Sequence, residues 1–420
     1  MRFRGFTGER RAPFTPVTSQ LGSAALDHAD AADAAPRATP RHAKLLLHAM
    51  VRAITPDISF LNAALKRRTI AGAVALVADR SADVLWQHAC GCSDAATSLP
   101  MRTDALFWAA SGLSKPLTAA AAMLLVDGGE LALDDPVSKF VRELDGAPIG
   151  AATVRHALSH TSGLPFASDA ELGDAARFDG SAFKRYRDTG DDAVYDAVGL
   201  RDAAASYTMP LRSEPGQRFL YSNAGINLVG RIIEVVSGEE YADFVDRRLL
   251  EPLGMRDTTL WPSTAQLERL AAGHSGDGSL RRVPFPQLTR PYSDRGRAPS
   301  PSGGYFSTAD DCARFGRMVL RGGELDGRRY LSEGAVAQMT TEQTPGYALG
   351  WAVAAGGAWD EDGGGGFGHG GAMGTKLFLH PGAGRVAVLM CHQDGGFDTD
   401  GVAFGEHWWY RQRSALLFAE

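Results

Sequence analysis

The sequence predicts an α+β fold, in which an antiparallel sheet formed by both ends of the chain is flanked by helices and encloses a helical middle. Strand-like apolar runs occur near the start, as in AGAVALVADR at 71–80, and again in the last third, as in TKLFLH at 375–380 and RVAVLMC at 385–391. Between them the apolar residues recur at helical spacing. Strands, then helices, then strands is the order of an α+β protein.

Taken in order, the first half of the chain alternates helical and strand-like patterns. The segment 114–126 is rich in Ala and Leu and ends before two glycines, Gly128 and Gly129, which predicts a buried helix. The other predicted elements are helices over 45–54 and 58–68 and strands over 71–80 and 84–86.

The helical middle is clearest at residues 226–236. Ile226, Val229, Ile233 and Val236 recur at spacings of 3, 4 and 3, which places them on one helical face, and Gly238 is positioned to end that helix. After residue 300, glycine turns separate the run GYALGWAVA at 346–354 from the two later runs, which predicts further antiparallel strands.

These patterns divide the chain. Residues 1–42, rich in Ala, Asp, Pro and Arg without sustained periodicity, are expected to form a disordered tail. Residues 43–420 are expected to form one domain, with a sheet subdomain over 57–105 and 290–420 and a helical subdomain over 106–289.

The charge and the cysteine content of the chain exclude several classes of function. The 420 residues include 43 Lys plus Arg and 49 Asp plus Glu, for a net charge of −6, which favours a small-molecule substrate over a nucleic acid or an anionic membrane. The four cysteines form neither a disulfide framework nor a zinc signature. No signal peptide or spanning segment is recognisable, so a soluble, cytoplasmic protein is expected; the sequence is silent on oligomeric state.

Three short segments carry groups that acyl transfer needs. In the first, Ser111 lies at the predicted start of a helix, where the helix dipole favours a developing negative charge. Lys115, one turn later, can accept the serine proton if burial lowers its pKa. Ser114 is a weaker candidate nucleophile because it adjoins Lys115 and points to a different face.

The second segment is Tyr221-Ser222-Asn223, where the phenol can share a proton with the lysine and the amide can hold a substrate carbonyl or the lysine head. The third is His369-Gly370-Gly371-Ala372, where glycine permits close approach of a substrate and an exposed N–H can face an oxyanion. Each segment alone is more typical of an ordinary surface pair, a helix cap or a turn.

Together, these segments resemble the serine β-lactamase and penicillin-binding-protein family, in particular its class C β-lactamase-related esterase branch. The resemblance spans about residues 57–390. It is carried by PMRTDALFWAAS, KPLTAAAAMLLVDGGELALDDPVSKF, VRHALSHTSGLPF, PGQRFLYSNAGINLVGRIIEVVSGEEYADFV, LLEPLGMRDTTLWP, GGYFSTADDCARFGRMVLRGGELDGRRYLS, GYALGW and FGHGGAMGTK. It implies the β-lactamase/transpeptidase-like fold.

The resemblance also implies roles. Ser111 would attack an ester or amide carbonyl while Lys115 and Tyr221 relay its proton, and no metal or organic cofactor would be needed. Asn223 and His369 would hold the acyl side. The backbone N–H groups of Ser111 and Ala372, beside Gly371, would bind the oxyanion. His160, in SHTSGL, is expected to be structural, as are Gly303 and Gly304 beside the cleft.

Where many relatives carry Lys-Thr-Gly, this chain has His369-Gly370-Gly371. A neutral imidazole has no fixed charge to attract a carboxylate, which favours neutral esters or amides over penicillins. The implied activity is that of a serine hydrolase working through an acyl-enzyme. An acyltransferase would use the same residues with a different acceptor.

One departure from the family pattern leaves the identity of the nucleophile open. The family pattern is S-x-x-K, but this chain has Ser111-x-x-x-Lys115, and counting back three residues from Lys115 reaches Gly112. If the strand-to-helix loop absorbs the extra residue, Gly112 takes the place of the nucleophile and the protein is a catalytically dead binding protein. If a wide or π-like first turn absorbs it, Ser111 still faces Lys115, because residues i and i+4 differ by only about 40° around a helix.

Overall fold

The computed structural model describes residues 56–81, 84–165, 200–201, 207–208, 210–285, 288, 290–353 and 365–394, all within the unit Val51–Glu420. We expect the segment 166–213 to neighbour the cleft, and the aromatic run Trp408-Trp409-Tyr410 to serve in packing, as an aromatic wall or in a dimer contact. That run, most of the segment 166–213, the expected tail and the expected helix at 45–54 lie outside the described residues.

In the described part of the chain, four strands follow the first helix, a run of helices occupies the middle, and strands with two further helices follow. The helices are α1 Ser59–Lys66, α2 Ala110–Asp127, α3 Val154–Leu158, α4 Asn223–Ser237, α5 Tyr241–Val245, α6 Glu251–Leu253, α7 Thr264–Leu267, α8 Ala309–Leu320 and α9 Glu333–Thr340. The strands are β1 Gly72–Asp79, β2 Val84–Asp94, β3 Leu99–Pro100, β4 Phe107–Trp108, β5 Gly273–Ser275, β6 Arg282–Val283, β7 Phe306–Ser307, β8 Glu324–Leu325, β9 Arg328–Arg329, β10 Ala352–Val353, β11 Phe367–Gly370, β12 Lys376–His380, β13 Arg385–Cys391 and β14 Gln393–Asp394.

Seven strands of the described part form one antiparallel sheet in the order β10-β11-β12-β13-β1-β2-β3. Strand β1 is almost uninterruptedly apolar because it lies between β13 and β2, with Leu76 paired to Val388 on one side and Gln87 on the other. The amino-terminal strands therefore join the sheet beside the carboxyl-terminal ones, as the sequence predicts.

Helices cover both faces of this sheet. On one face, Phe60 and Leu61 of α1 pack with Phe378 in a small apolar cluster. On the other face, α8 lies so close to the sheet that a Cβ at Gly316 would come within 2.8 Å of Val386 Cγ1. This second face carries the larger core, which continues into α2 and α4.

The boundaries of α4 follow from its end residues. Ser222 caps the helix by accepting a hydrogen bond from the N–H of Gly225 at 3.0 Å. Gly238 ends it in the left-handed conformation at φ +71°. The predicted apolar stripe lies inward, with Ile226, Val229 and Ile233 buried.

The predicted α+β architecture is confirmed, but one predicted strand is wrong over most of its length. In the run at 346–354, only Ala352–Val353 forms a strand. Gly346 and Gly350 adopt φ +82° and +75°, and such left-handed residues turn the chain instead of extending it. This turned segment places Tyr347 in the interior.

Acid should destabilise the protein partly through His392, which follows β13. Its Nδ1 lies 2.8 Å from the carbonyl oxygen of Ala271, and burial lowers its pKa from 6.5 to about 4. Between those values the unfolded chain binds a proton that the folded chain does not, so stability falls as the pH falls through this window. Thermal unfolding of native protein and His392→Asn at pH 7.5 and 4.5 should show a smaller acid loss of Tm in the variant. Equal losses would contradict this assignment.

Candidate active site

The segment carrying Ser111 lies where β4 passes into α2. The N–H of Ala109 donates to the carbonyl oxygen of Tyr305 at 2.9 Å, which fixes the strand end, and the helix begins at the next residue. Ala110 has φ +45°, a left-handed conformation that costs an alanine roughly 1–2 kcal/mol. Ser111 therefore lies in the first helical turn, immediately after an irregular residue; its side chain is outside what the structure describes.

The backbone around Ala110 bears on the question of how the chain accommodates one more residue between Ser111 and Lys115 than the family pattern has. The helix runs from Ala110 to Asp127, but its first turn is not regular α-helix. The irregularity is concentrated at Ala110, and the N–H of Gly112 bonds back to the carbonyl oxygen of Ala109 at 3.0 Å. Whether Ser111 or Gly112 occupies the position of the nucleophile stays a prediction.

Gly112 itself is tightly packed. A Cβ at this position would lie 3.0 Å from the amide nitrogen of Gly371 and 3.1 Å from Thr375 Oγ1, closer than such atoms normally approach. The glycine thus allows the first turn of α2 to lie against the hairpin between β11 and β12. A Cβ here would require the hairpin to yield by a few tenths of an ångström.

Lys115 lies one turn later, fully buried. Its Nζ donates to Asn223 Oδ1 at 2.8 Å and to the carbonyl oxygen of Ser302 at 2.9 Å, and it lies 4.8 Å from the centre of the Tyr221 ring. Burial lowers the pKa of this amine well below its usual value. In its neutral form the amine has two N–H bonds, which match these two oxygens, and one lone pair, which can accept a proton.

The Tyr221-Ser222-Asn223 segment serves both as a helix cap and as part of the site. Ser222 caps α4, which holds Asn223 as the first helical residue, with its amide oxygen on the lysine. The sequence predicts that this amide holds either a substrate carbonyl or the lysine head, and the structure shows it on the lysine head. The Tyr221 ring packs on His160, with 4.4 Å between ring centres.

His369 contacts protein partners through both ring nitrogens. Nδ1 lies 2.9 Å from the carbonyl oxygen of Gly370, and Nε2 lies 3.0 Å from the hydroxyl of Tyr347. The same hydroxyl lies 3.1 Å from Nε2 of His160. Burial lowers the pKa of His369 from 6.5 to about 3, so the ring is neutral at physiological pH. Its expected contact with the acyl group stays a prediction.

The hairpin after β11 is joined to the start of α2. The N–H of Gly371 donates to the carbonyl oxygen of Thr375 at 2.7 Å, and Thr375 Oγ1 donates to the carbonyl oxygen of Ala109 at 2.9 Å. Ala372, at the tip, is exposed. These bonds bring the two segments expected to form the oxyanion site, at Ser111 and Ala372, to one end of the sheet.

Ser114 has a structural role. Its side chain is fully buried, and Oγ accepts a hydrogen bond from the N–H of Tyr305 at 3.2 Å. The hydroxyl therefore faces the segment after Gly304 and not the lysine amine. The sequence likewise makes Ser114 a weaker candidate nucleophile than Ser111.

Two contributors to the site could not be identified from the sequence. The carbonyl oxygen of Ser302 holds Lys115, but a backbone acceptor leaves no trace in residue type. Tyr347 lies in GYALGW, which was interpreted as a strand; its burial between two histidines depends on distant packing. Neighbouring Gly303 has the expected structural role, accepting the indole N–H of Trp108 at 2.7 Å.

Over the described ranges, no three His, Cys, Asp or Glu side chains are grouped so as to hold a metal ion. Nor does any helix in that part of the chain have the length and apolar character needed to cross a bilayer.

A buried lysine grouped with a tyrosine and an asparagine, near the carboxyl end of β11, is the arrangement that the family resemblance implies. The chain belongs to the β-lactamase family, whose members are serine hydrolases: the family model described as Beta-lactamase matches residues 58–405.

Relatives and solved structures agree with this membership. The chain is 32% identical over 337 residues to penicillin-binding protein 4 of Amycolatopsis lactamdurans, covering 75% of this chain and 79% of that protein. It is 34% identical over 278 residues to esterase EstB of Burkholderia gladioli, covering 60% and 66%. The solved structure of EstCE1, a hydrolase with promiscuous acyltransferase activity, has the same fold, with a TM-score of 0.68 at 23% identity and coverage of 90% and 100%.

Proposed function

We propose that this protein hydrolyses neutral esters or amides through an acyl-enzyme on Ser111. Ser111 Oγ would form a bond to the carbonyl carbon as its proton passes to the lone pair of Lys115. The bond to the leaving group would then break, and that group would take the proton. Water, deprotonated with the help of Tyr221, would release the acid and restore the serine.

The observation that carries this proposal is the environment of Lys115. Burial lowers the pKa of this amine well below its usual value and its two contacts are neutral oxygens, so it gives up a proton more readily than an exposed lysine and can act as a base. Ser111, one turn earlier on α2, is the hydroxyl-bearing residue that the family resemblance places beside this amine. Ser114 is committed to Tyr305.

The preference for neutral substrates rests on His369. Because its ring is uncharged, this position offers no cation to a substrate carboxylate. Lys376 pairs with Gly370 in the β11–β12 register, whereas His369 pairs with Leu377, so Lys376 and His369 lie on opposite faces of the strand pair. Relatives named as an esterase and as a penicillin-binding protein leave ester, amide and β-lactam substrates to be compared directly.

Intact mass after incubation with a fluorophosphonate tests the nucleophile. The native protein should gain one adduct, Ser111→Ala should gain none, and Ser114→Ala should gain one and serve as the matched serine control. Hydrolysis of short-chain p-nitrophenyl esters should follow the same pattern. An adduct that persists in Ser111→Ala would contradict the proposal; product analysis with an added alcohol separates hydrolysis from acyl transfer.

A second candidate, a non-catalytic binding protein, is favoured by one observation. On the regular part of α2, Gly112 precedes Lys115 by the three residues of the family spacing and faces the hairpin at Gly371. In that case the native protein would form no adduct, yet a non-hydrolysable acyl phosphonamide or a D-amino-acid amide should still raise its Tm.

A further inference from the structure

Three buried side chains form a continuous hydrogen-bonded row beside the proposed nucleophile. His160, Tyr347 and His369 are 0%, 4% and 8% exposed, and the Tyr347 hydroxyl lies 3.1 Å and 3.0 Å from the two Nε2 atoms. The three residues come from separate segments: the turn after α3, the turned segment before β10, and β11.

The backbone at each end fixes where the protons lie. The N–H of Ser222 donates to Nδ1 of His160 at 3.1 Å, so in the neutral ring the proton is on Nε2 and is donated to the Tyr347 oxygen. Nδ1 of His369 faces the carbonyl oxygen of Gly370, which can only accept, so this nitrogen carries the proton. Nε2 of His369 then accepts the Tyr347 O–H. The row runs in one direction, with every donor matched to an acceptor.

The row connects the two walls of the site. At one end, His160 packs against the ring of Tyr221 and bonds to Ser222, the cap of the helix that holds Asn223. At the other end, His369 lies in the strand that leads to Gly371 and Ala372. The Tyr347 hydroxyl is the single atom through which this row passes from one wall to the other.

We propose that Tyr347 is a positioning residue, whose hydroxyl holds the oxyanion end of β11 at a fixed distance from Tyr221. This inference rests on the proposed hydrolase function. Its effect falls on the transition state, because the oxyanion donors and the proton relay must act on the same reacting carbonyl.

Tyr347→Phe tests the catalytic consequence, since it removes the hydroxyl and keeps the ring that packs on Phe219 at 5.4 Å. We expect kcat for a p-nitrophenyl ester to fall by about 10- to 100-fold, with KM changed by less than about threefold. Tyr330→Phe is the matched control, because it removes a phenol hydrogen bond to the carbonyl oxygen of Pro252, remote from the site. It should leave kcat unchanged.

The pH profile gives a readout that lost stability alone would not change. The Tyr347 O–H donates to Nε2 of His369 and so favours the neutral ring; its removal should raise the pKa of His369 and move the titration of that ring, followed by NMR, to higher pH. The other groups facing these rings are the amines of Lys115 and Lys376 and the Tyr221 ring, and the variant retains all of them. An unchanged kcat together with an unchanged titration of His369 in Tyr347→Phe would overturn the inference.

Imidazole nitrogen-15 NMR of the native protein tests the row without turnover. We expect His160 to carry its proton on Nε2 and His369 on Nδ1, with both rings neutral at pH 7. The opposite tautomer in either ring would overturn the inference even if the enzyme is active. Conversely, if no acyl-enzyme forms but both tautomers are as expected and Tyr347→Phe changes them, the proposed function fails and the row stands.

Discussion

Lys115→Met should lower kcat/KM for a short-chain ester by about 10³-fold, within the range that a general base contributes. Methionine matches the length of the lysine stem but offers no lone pair for the proton of Ser111. It also leaves Asn223 Oδ1 and the carbonyl oxygen of Ser302 without their donor, a loss of about 1–3 kcal/mol per buried group. Removing a desolvated amine offsets part of that loss, so the variant should fold.

Lys139→Met is the control for the loss of a lysine. Lys139 forms an exposed ion pair with Asp135 at 2.7 Å, and its replacement should leave kcat/KM unchanged. Steady-state kinetics and Tm of the three proteins at pH 7.5 give the comparison. Lys115→Met with native activity would show that the buried amine is not the base.

The same amine sets the direction of the pH dependence. Because burial lowers the pKa of Lys115 well below its usual value, the base is already neutral at pH values where an exposed lysine is protonated. As the pH falls through that lowered value the amine gains a proton, and kcat/KM should fall with it. In this window the native protein loses activity by protonation of its base.

The fold was predictable because its core follows from periodicity. The apolar run of β1 and the stripe on α4 each match a buried face, and Ser222 and Gly238 mark the ends of α4 as the sequence indicates. The turn within 346–354 was not predictable from the sequence. A run of apolar residues interrupted by glycine has the composition of a strand even where left-handed glycines bend it.

The site was only partly predictable, for a physical reason. Lys115, Tyr221 and Asn223 are brought together as their chemistry and the family resemblance imply. The His160–Tyr347 and Lys115–Ser302 contacts each join residues 187 apart in sequence, which no local pattern encodes. The left-handed backbone at Ala110 was likewise not predictable, because alanine gives no sign of that conformation in the sequence.

Moving the serine hydroxyl from position 111 to position 112 should not preserve the esterase activity. The double variant Ser111→Ala/Gly112→Ser recreates the family spacing of serine and lysine, yet we expect its esterase activity to stay about 10³-fold below native. The reason is steric. The new Cβ would lie 3.0 Å from the amide nitrogen of Gly371 and 3.2 Å from the carbonyl oxygen of Thr375, both backbone atoms of the hairpin expected to bind the oxyanion.

Gly112→Ala, with Ser111 retained, separates crowding from loss of the nucleophile. It introduces the same Cβ, so activity should fall by about 10-fold or more through displacement of Gly371, while fluorophosphonate labelling at Ser111 continues slowly. If the double variant instead becomes more active than native protein, position 112 holds the nucleophile's place. The natural glycine would then account for a family member that binds without cleaving, because the lysine, tyrosine and asparagine would surround a position with no hydroxyl.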